Sequence, residues 1–313
     1  MKFISIITPC LNEEDNIREI YIRIKNIFEG LHDYNYEHIF IDNASADKTI
    51  EILRQITKED KNIKVILNTR DFGQVRSPMH AFMQAKGDAV IGICCDLQDP
   101  PELIPDFLKK WEEGFKMVLG VKNNTKDTLL MSFARKIFYK LMETMSDSNV
   151  KQIKNLTGFG LYDRQIVDIM KDIDDPCPYI RGLIGDIGFE PALIPFDKPA
   201  RKKGLTKNNF YTLYDMAILG ITSYSKVPLR IATLAGFTLS ILSLFVAFCY
   251  FIAKLLFWYN FPMGTAPIII SLFFFSSVQL FFIGVIGEYI GFIHTRQLKR
   301  PLVFEKERIN FDD

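Results

Sequence analysis

The chain has 313 residues and carries 38 Lys and Arg against 37 Asp and Glu, a formal net charge of +1. This balance excludes a protein built on a bulk basic field for nucleic acid, and it excludes an acidic disordered chain; the length allows one large domain or two small ones. Hydrophobic residues make up 48% and mean hydropathy is +0.08, high for a soluble enzyme that is 24% charged. Twelve of the 27 Phe lie between Phe237 and Phe292, so the apolar weight is concentrated near the C-terminus. The five cysteines (Cys10, Cys94, Cys95, Cys177 and Cys249) are odd in number and scattered, which implies neither a disulfide framework nor a zinc site and fits a reducing compartment.

In chain order, Phe3–Thr8 reads as a first strand, too short before Thr8-Pro9 for a signal peptide. Asp15 or Asn16 caps a helix running to about Phe28. A second strand at Glu37–Ile41 precedes a helix that starts at Asp47 or Thr49 and runs through Ile56. Lys64–Leu67 is the third strand, followed by a helix from Ser77 to Ala85 with Pro78 in its first turn. Ala89–Cys94 is the fourth, which makes Cys94 and Cys95 buried strand cysteines; a helix at Pro101–Trp111 and a fifth strand at Met117–Val121 follow. Short apolar runs alternating with helices predict an α/β domain with a largely parallel sheet over residues 1–225. Two amphipathic segments within it, near 129–145 and 211–223, suit the membrane surface, the first with Arg135, Lys136 and Lys140 on its polar faces.

Two uncharged runs follow, Ile231–Ala253 with 23 residues and Gly264–Gly287 with 24. A membrane-crossing helix needs about 20 apolar residues, so residues 226–295 predict a two-helix transmembrane hairpin. Its connector carries Trp258 and Tyr259, residues suited to a headgroup layer, and a single cation, Lys254. Lys226 and Arg230 precede the hairpin, and Arg296, Lys299, Arg300, Lys306 and Arg308 follow it. The positive-inside bias therefore predicts a two-pass protein with the N-terminal domain and a basic tail at 296–313 both in the cytoplasm.

Polar groups gather after the strands: Glu13 and Glu14 after the first, Asp42 after the second, and Asp96, Gln98 and Asp99 after the fourth. In open α/β sheets these carboxyl ends are where ligands bind. Asp96 and Gln98 have the spacing of a turn that returns two oxygens to one side, which suits a hard divalent cation whose other ligands come from phosphates. The sequence contains no Gly-rich phosphate loop, nucleophile elbow or helical HExxH motif, and His32, His38, His80 and His294 are dispersed.

Several stretches resemble the polyprenyl-phosphate branch of the family-2 glycosyltransferases, which includes dolichyl-phosphate mannose synthase and GtrB-like enzymes. TPCLNEEDNI resembles PxYNExxNI; IDNASADKT resembles VDDGSxDxT; NTRDFGQ resembles RNFGK; CCDLQDPPELIP resembles DADLQDPPELIP; RKKGLTK resembles RxxGxSK; GEYIG and the following KRP resemble a membrane-exit signature. The resemblance runs through nearly the whole chain in order. It implies a GT-A nucleotide-sugar domain and inverting transfer of a sugar from a nucleotide diphospho-sugar to a polyprenyl monophosphate with Mg2+ or Mn2+. It implies that Pro9, Asn12 and Glu13 line the base and ribose side, that Asp42 binds nucleotide, and that Asp96 and Gln98 hold the metal on the diphosphate. Arg201 and Lys207 match the basic loop that meets donor diphosphate and lipid phosphate, and the helix with Arg135 and Lys136 matches the acceptor-phosphate region. A homotetramer is implied by some bacterial members, and no nucleic acid partner is expected.

The chain departs from the family pattern at Cys94 for the first Asp of DxD, at Asn43 and Ala44 for Asp-Gly of DDGS, and at Gly158 and Gly160 for Asp and Arg of GDFRL. Asp163, nearby, reads as a helix cap rather than a replacement catalyst. Two other functions fit the same elements: transfer to a different lipid acceptor, and a non-catalytic membrane scaffold with a degenerate donor pocket.

Overall fold

The computed structural model describes residues 1–123, 156–176, 178, 180–197, 227–256, 265–298 and 300–311. Eight strands form one sheet: β1 (Lys2–Cys10), β2 (Tyr34–Asp42), β3 (Ile63–Asn68), β4 (Ala89–Gly92), β5 (Met117–Lys122), β6 (Leu156–Asp163), β7 (Ala192–Phe196) and β8 (Glu305–Ile309). Their order across the sheet is β7-β5-β6-β4-β1-β2-β3-β8. β1 is parallel to both β2 and β4, β2 to β3, and β5 to β7; β6 and β8 run antiparallel to their neighbours. The sheet is thus mixed but mostly parallel.

The helices that flank it are α1 (Ile17–Glu29), α2 (Thr49–Glu59), α3 (Gly73–Gln84), α4 (Ile104–Glu112), α5 (Arg164–Ile173) and α6 (Ile180–Ile187). The period-2 alternation of the strands sorts them into two layers. Ile4, Ile6 and Phe40 face α1, α2 and α4 through Ile20, Leu53 and Phe107, whereas Ile7, Ile39 and Ile41 face α3, α5 and α6 through Phe82, Ile166 and Ile184. With helices on both faces, the central strands are buried on both sides and read as nearly unbroken apolar runs.

Several expectations need correction. α3 begins at Gly73, whose N–H donates to Asp71 Oδ1 at 2.8 Å, so Pro78 sits in the helix's second turn. β4 stops at Gly92, which leaves Cys94 exposed beyond the strand while Cys95 stays buried. Asn16 holds the cap position of α1, but its amide turns to Glu13 Oε2 at 2.6 Å instead of capping the helix. The segment 296–313, expected as a basic tail, supplies edge strand β8. The strands β6 and β7 had no counterpart in the sequence reading. The amphipathic segments near 129–145 and 211–223, together with Trp258 and Tyr259, lie outside the described residues.

The described residues fall into two compact units, one holding the sheet, its helices and Leu298–Asp313, the other holding α7 (Val227–Leu256) and α8 (Thr265–Gln297). α7 has 30 residues and α8 has 33, roughly 45–50 Å of helix at about 1.5 Å per residue. Within α8, Phe274–Gln297 is long and apolar enough to cross a membrane; in α7 the apolar stretch Val227–Leu242 is shorter. Leu234, Phe237, Phe245, Ile268, Leu280 and Phe281 are all more than half exposed. Apolar exposure on this scale is unusual for a surface in water.

A polar network is buried at the amino end of the sheet. Glu37 on β2 accepts from Lys64 Nζ at 2.6 Å, from Ser5 Oγ at 2.5 Å and from the Lys86 N–H at 2.9 Å. Removing one partner of a buried pair leaves an uncompensated charge. Lys64→Met is therefore expected to cost about 3–5 kcal/mol, and Glu37→Gln added to it to recover most of the loss, as read by chemical denaturation in detergent.

On the opposite face His38 lies against Phe40 with its Nε2 2.9 Å from Thr8 Oγ1. Burial lowers its pKa to about 3. The folded state keeps this imidazole neutral while the unfolded chain takes up a proton below about pH 6.5, so stability falls as pH drops from there toward 3. His38→Gln should lessen that loss by about 1 kcal/mol per pH unit below pH 6, measured as the pH dependence of the melting curve against wild type.

Candidate active site

β1 is flanked by β2 on one side and β4 on the other, so the loops leaving β1, β2 and β4 diverge from one edge. This is the crevice in which open α/β sheets bind ligands. Each of these loops contains one non-glycine residue in the left-handed region: Asn12 (φ 54°), Ala44 (φ 62°) and Leu97 (φ 58°). Such backbone costs free energy and gathers at functional sites.

The first two loops are laced together. The Asn12 N–H donates to Ser45 Oγ at 2.8 Å, and Asn12 Oδ1 accepts from the Ala46 N–H at 2.8 Å. The Glu13 N–H donates to Thr49 Oγ1 at 2.9 Å. Asp42 is fully buried at the end of β2 and accepts from the Ser45 N–H at 2.9 Å and from Ser45 Oγ. Burial holds its carboxyl above the usual range, against the pull of the Ser45 bonds. Pro9, half-buried, pairs with Ile41 one residue earlier on the strands.

The third loop carries the oxygen-rich turn. With Leu97 left-handed, the Gln98 N–H donates to Asp96 Oδ1 at 3.2 Å, and both side chains are part-exposed. Asp99 is buried, accepting from the Cys94 N–H at 3.3 Å; its carboxyl is raised by burial and then by the negative charge of Asp96. Asp96 and Gln98 offer the hard oxygen donors that Mg2+ or Mn2+ takes. Among the described residues no group of three or more His, Cys, Asp or Glu forms a metal cage. A cation at this turn would therefore draw most of its ligands from phosphates and water, the usual way Mg2+ is bound.

Residues 5–163 match the model of glycosyl transferase family 2. The chain belongs to that family. The matched segment runs from β1 to the end of β6 and includes all three loops. An uncharacterized glycosyltransferase of Synechocystis sp. is 33% identical over 300 residues, covering 96% of this chain and 93% of the relative. The bactoprenol glucosyl transferase of Shigella phage SfV is 32% identical over 299 residues, covering 95% and 96%. Among solved structures, glucosyl-3-phosphoglycerate synthase from Mycobacterium tuberculosis, in complex with Mn2+, UDP and phosphoglyceric acid, superposes with a TM-score of 0.50 at 20% identity, covering 71% of this chain and 76% of that one. That likeness supports the GT-A type of fold.

In this glycosyltransferase the structure brings Pro9, Asn12, Glu13 and Asp42 to the edge on which Asp96 and Gln98 also lie. Arg135, Lys136, Arg201 and Lys207 lie outside the described residues. The departures from the family pattern have local causes. Asn43 is buried; its Oδ1 accepts from Asn68 Nδ2 at 2.8 Å and from the Phe72 N–H at 3.4 Å, and its Nδ2 donates to the Gly73 carbonyl at 3.3 Å. This needs a donor and an acceptor on one side chain, which a carboxylate does not provide. Gly160 lies flat on β5, where a Cβ would meet the Val118 carbonyl at 2.7 Å, so this backbone leaves no room for Arg. Gly158 has φ +93°, a conformation that disfavours Asp. Asp163 lies at the opposite edge of the sheet as the cap of α5, accepting from the Gln165 N–H at 3.0 Å and from Trp111 Nε1 at 2.7 Å. Asn68 is not singled out by the sequence pattern; it closes β3 one residue past Leu67, the register partner of Asp42, and its role shows only in its bonds to Asn43 and Ser77.

Ala44 stands where the family pattern has Gly, and its φ is left-handed. Ala44→Gly is expected to relieve strain and stabilise the fold by about 0.5–1 kcal/mol after the entropic cost of glycine, seen as a raised melting temperature.

Proposed function

We propose that this glycosyltransferase moves a sugar from a nucleotide diphospho-sugar to a polyprenyl monophosphate at the cytoplasmic face of a membrane, with inversion. The observation that carries the reading is the Asp96–Gln98 turn at a family-2 carboxyl edge, on a chain that also has a membrane-length apolar helix. The named activity of the phage relative, matched over nearly its full length, supports the acceptor class.

Asp42, Asn12 and Glu13 hold the two loops against which the nucleoside rests. Asp96 and Gln98 would hold Mg2+ or Mn2+, which when bound would supply positive charge to offset that on the departing nucleoside diphosphate. Arg201 and Lys207 neutralise donor and acceptor phosphates, and Arg135 and Lys136 hold the lipid phosphate. One phosphate oxygen attacks the anomeric carbon as the bond from that carbon to the diphosphate oxygen breaks. The acceptor is already anionic near neutral pH, so orientation and charge neutralisation carry the step without a strong general base.

The reading makes residues 226–295 a two-pass hairpin, supported by the cation bias on its outer flanks, with residues 1–225 and the tail on the cytoplasmic side. The assembly proposed by resemblance is a homotetramer.

Purified protein incubated with membranes, Mn2+ and a panel of labelled UDP- and GDP-sugars should label the lipid fraction, with the product named by mass spectrometry. Asp96→Ala is expected to lower that transfer at least 100-fold, on the order of the loss when transition-state charge stabilisation is removed. Unchanged turnover in Asp96→Ala would overturn the metal role; failure of every donor to label lipid would overturn the transfer itself.

A further inference from the structure

The tail after α8 returns to the catalytic sheet, and its strand begins at the carboxyl edge beside the candidate site and runs away from it. β8 pairs antiparallel with β3 through Val65–Ile309, Ile66–Arg308 and Leu67–Glu307, and its register shifts between Leu67 and Asn68. The strand is pinned at several points. Arg54 pairs with Glu307, and Glu305 binds His80 and Arg308. Asn310 Nδ2 donates to the carbonyls of Thr57 at 2.8 Å and Ile63 at 2.9 Å.

Past the register shift the ladder keeps one more pair, Asn68–Glu305, and the tail residues before it touch the β3–α3 loop. The Thr69 N–H donates to the Phe304 carbonyl at 2.9 Å, and the Phe304 ring lies 6.1 Å from the Phe72 ring, centroid to centroid, at 49°. Arg76 Nη2 donates to the Pro301 carbonyl at 2.7 Å. The loop is in turn the partner of Asn43, through the Phe72 N–H and the Gly73 carbonyl, and the Asn43 N–H donates to the Cys10 carbonyl at 3.0 Å at the end of β1. A continuous set of contacts therefore runs from Phe304 through Phe72 and Asn43 to the ends of β1 and β2. Phe304 is 54% exposed. An aromatic ring left that open buries little area for the fold, and its ring contact is to the loop.

We infer that Phe304 is a positioning residue of the donor site, acting through Phe72 and Asn43 to hold the β3–α3 loop against the ends of β1 and β2. The tail strand supplies the fixed point from which Phe304 presses. This rests on the reading of the carboxyl edge as the nucleotide site. The chemical class affected is the nucleoside diphosphate, with no group transfer at Phe304 itself.

The test titrates UDP and GDP, each with Mn2+, into the full-length protein in detergent by calorimetry, beside donor steady-state kinetics. Phe304→Ala should weaken whichever nucleotide binds wild type by fivefold or more and raise donor KM to match, with kcat within twofold. Phe304→Leu should recover most of the affinity. Glu307→Gln, which removes the Arg54 pair at the middle of β8 and leaves the Phe304–Phe72 contact in place, should stay within twofold. Nucleotide binding by Phe304→Ala within twofold of wild type would overturn the inference. So would an equal loss in Glu307→Gln, which would mean that the tail acts only through general stability. Should Phe304→Ala not fold, Phe72→Leu thins the same contact from the loop side and carries the same fivefold expectation, and wild-type affinity there would overturn it equally. If neither nucleotide binds wild type, the nucleotide-site reading fails, and the inference fails with it.

Discussion

The placement of β1 between two parallel partners is the constraint from which the rest of the site follows. The strand runs alongside β2 for nine residues and alongside β4 for four. The helix after β1 packs on one face of the sheet and α3, which leads into β4, on the other. Chain leaving β1, β2 and β4 must therefore splay from a common edge, which opens a crevice without any side chain having to make it. The side chains then decide what the crevice can hold. Asp42 spends its oxygens on Ser45, and Asn12 spends its amide oxygen on Ala46, so much of the polar inventory here fixes loops. Asp96 and Gln98 remain part-exposed on the third loop, with oxygen donors of the kind a hard divalent cation takes.

Substitutions that look damaging in a motif comparison are coherent as a local structure. Asn43 replaces a carboxylate with an amide, and the surroundings use both ends of that amide. A second ionised carboxylate next to Asp42 would add like-charge repulsion at a site where burial already disfavours charge. Gly160 allows β5 and β6 to approach where a side chain would collide with Val118. At Cys94 the thiol is exposed and the backbone N–H serves Asp99, so the turn's geometry is held by main chain as much as by the residue type.

The first five strands and the first four helices were legible because apolar residues recur at strand and helix periods between turn residues. Their ends moved by one to four residues where a local bond outweighed the pattern, as at Gly73, which Asp71 draws into the helix. β6 was not legible. Leu156–Asp163 contains two glycines and a Thr, and its pairing partners β4 and β5 lie far from it in sequence. β8 was illegible for the opposite reason: EKERI alternates charge with little apolar content, which reads as a solvated tail. Asp42, Asp96 and Gln98 could be read from position after strands, whereas Asn68 and Phe304 matter through contacts that no local spacing reveals.

Charged composition gives β8 a further meaning. Its partner β3, IKVILN, is buried along its whole length. Without the tail, β3 would end the sheet as a bare, strongly apolar edge with unpaired N–H and C=O groups, a template for pairing with another chain. With the tail in place, the outermost strand displays Glu305, Lys306, Glu307 and Arg308, side chains of the kind that blunt edge-to-edge association. β8 thus acts as a guard against edge-to-edge association, and forms lacking it are expected to self-associate through β3 before they lose their fold.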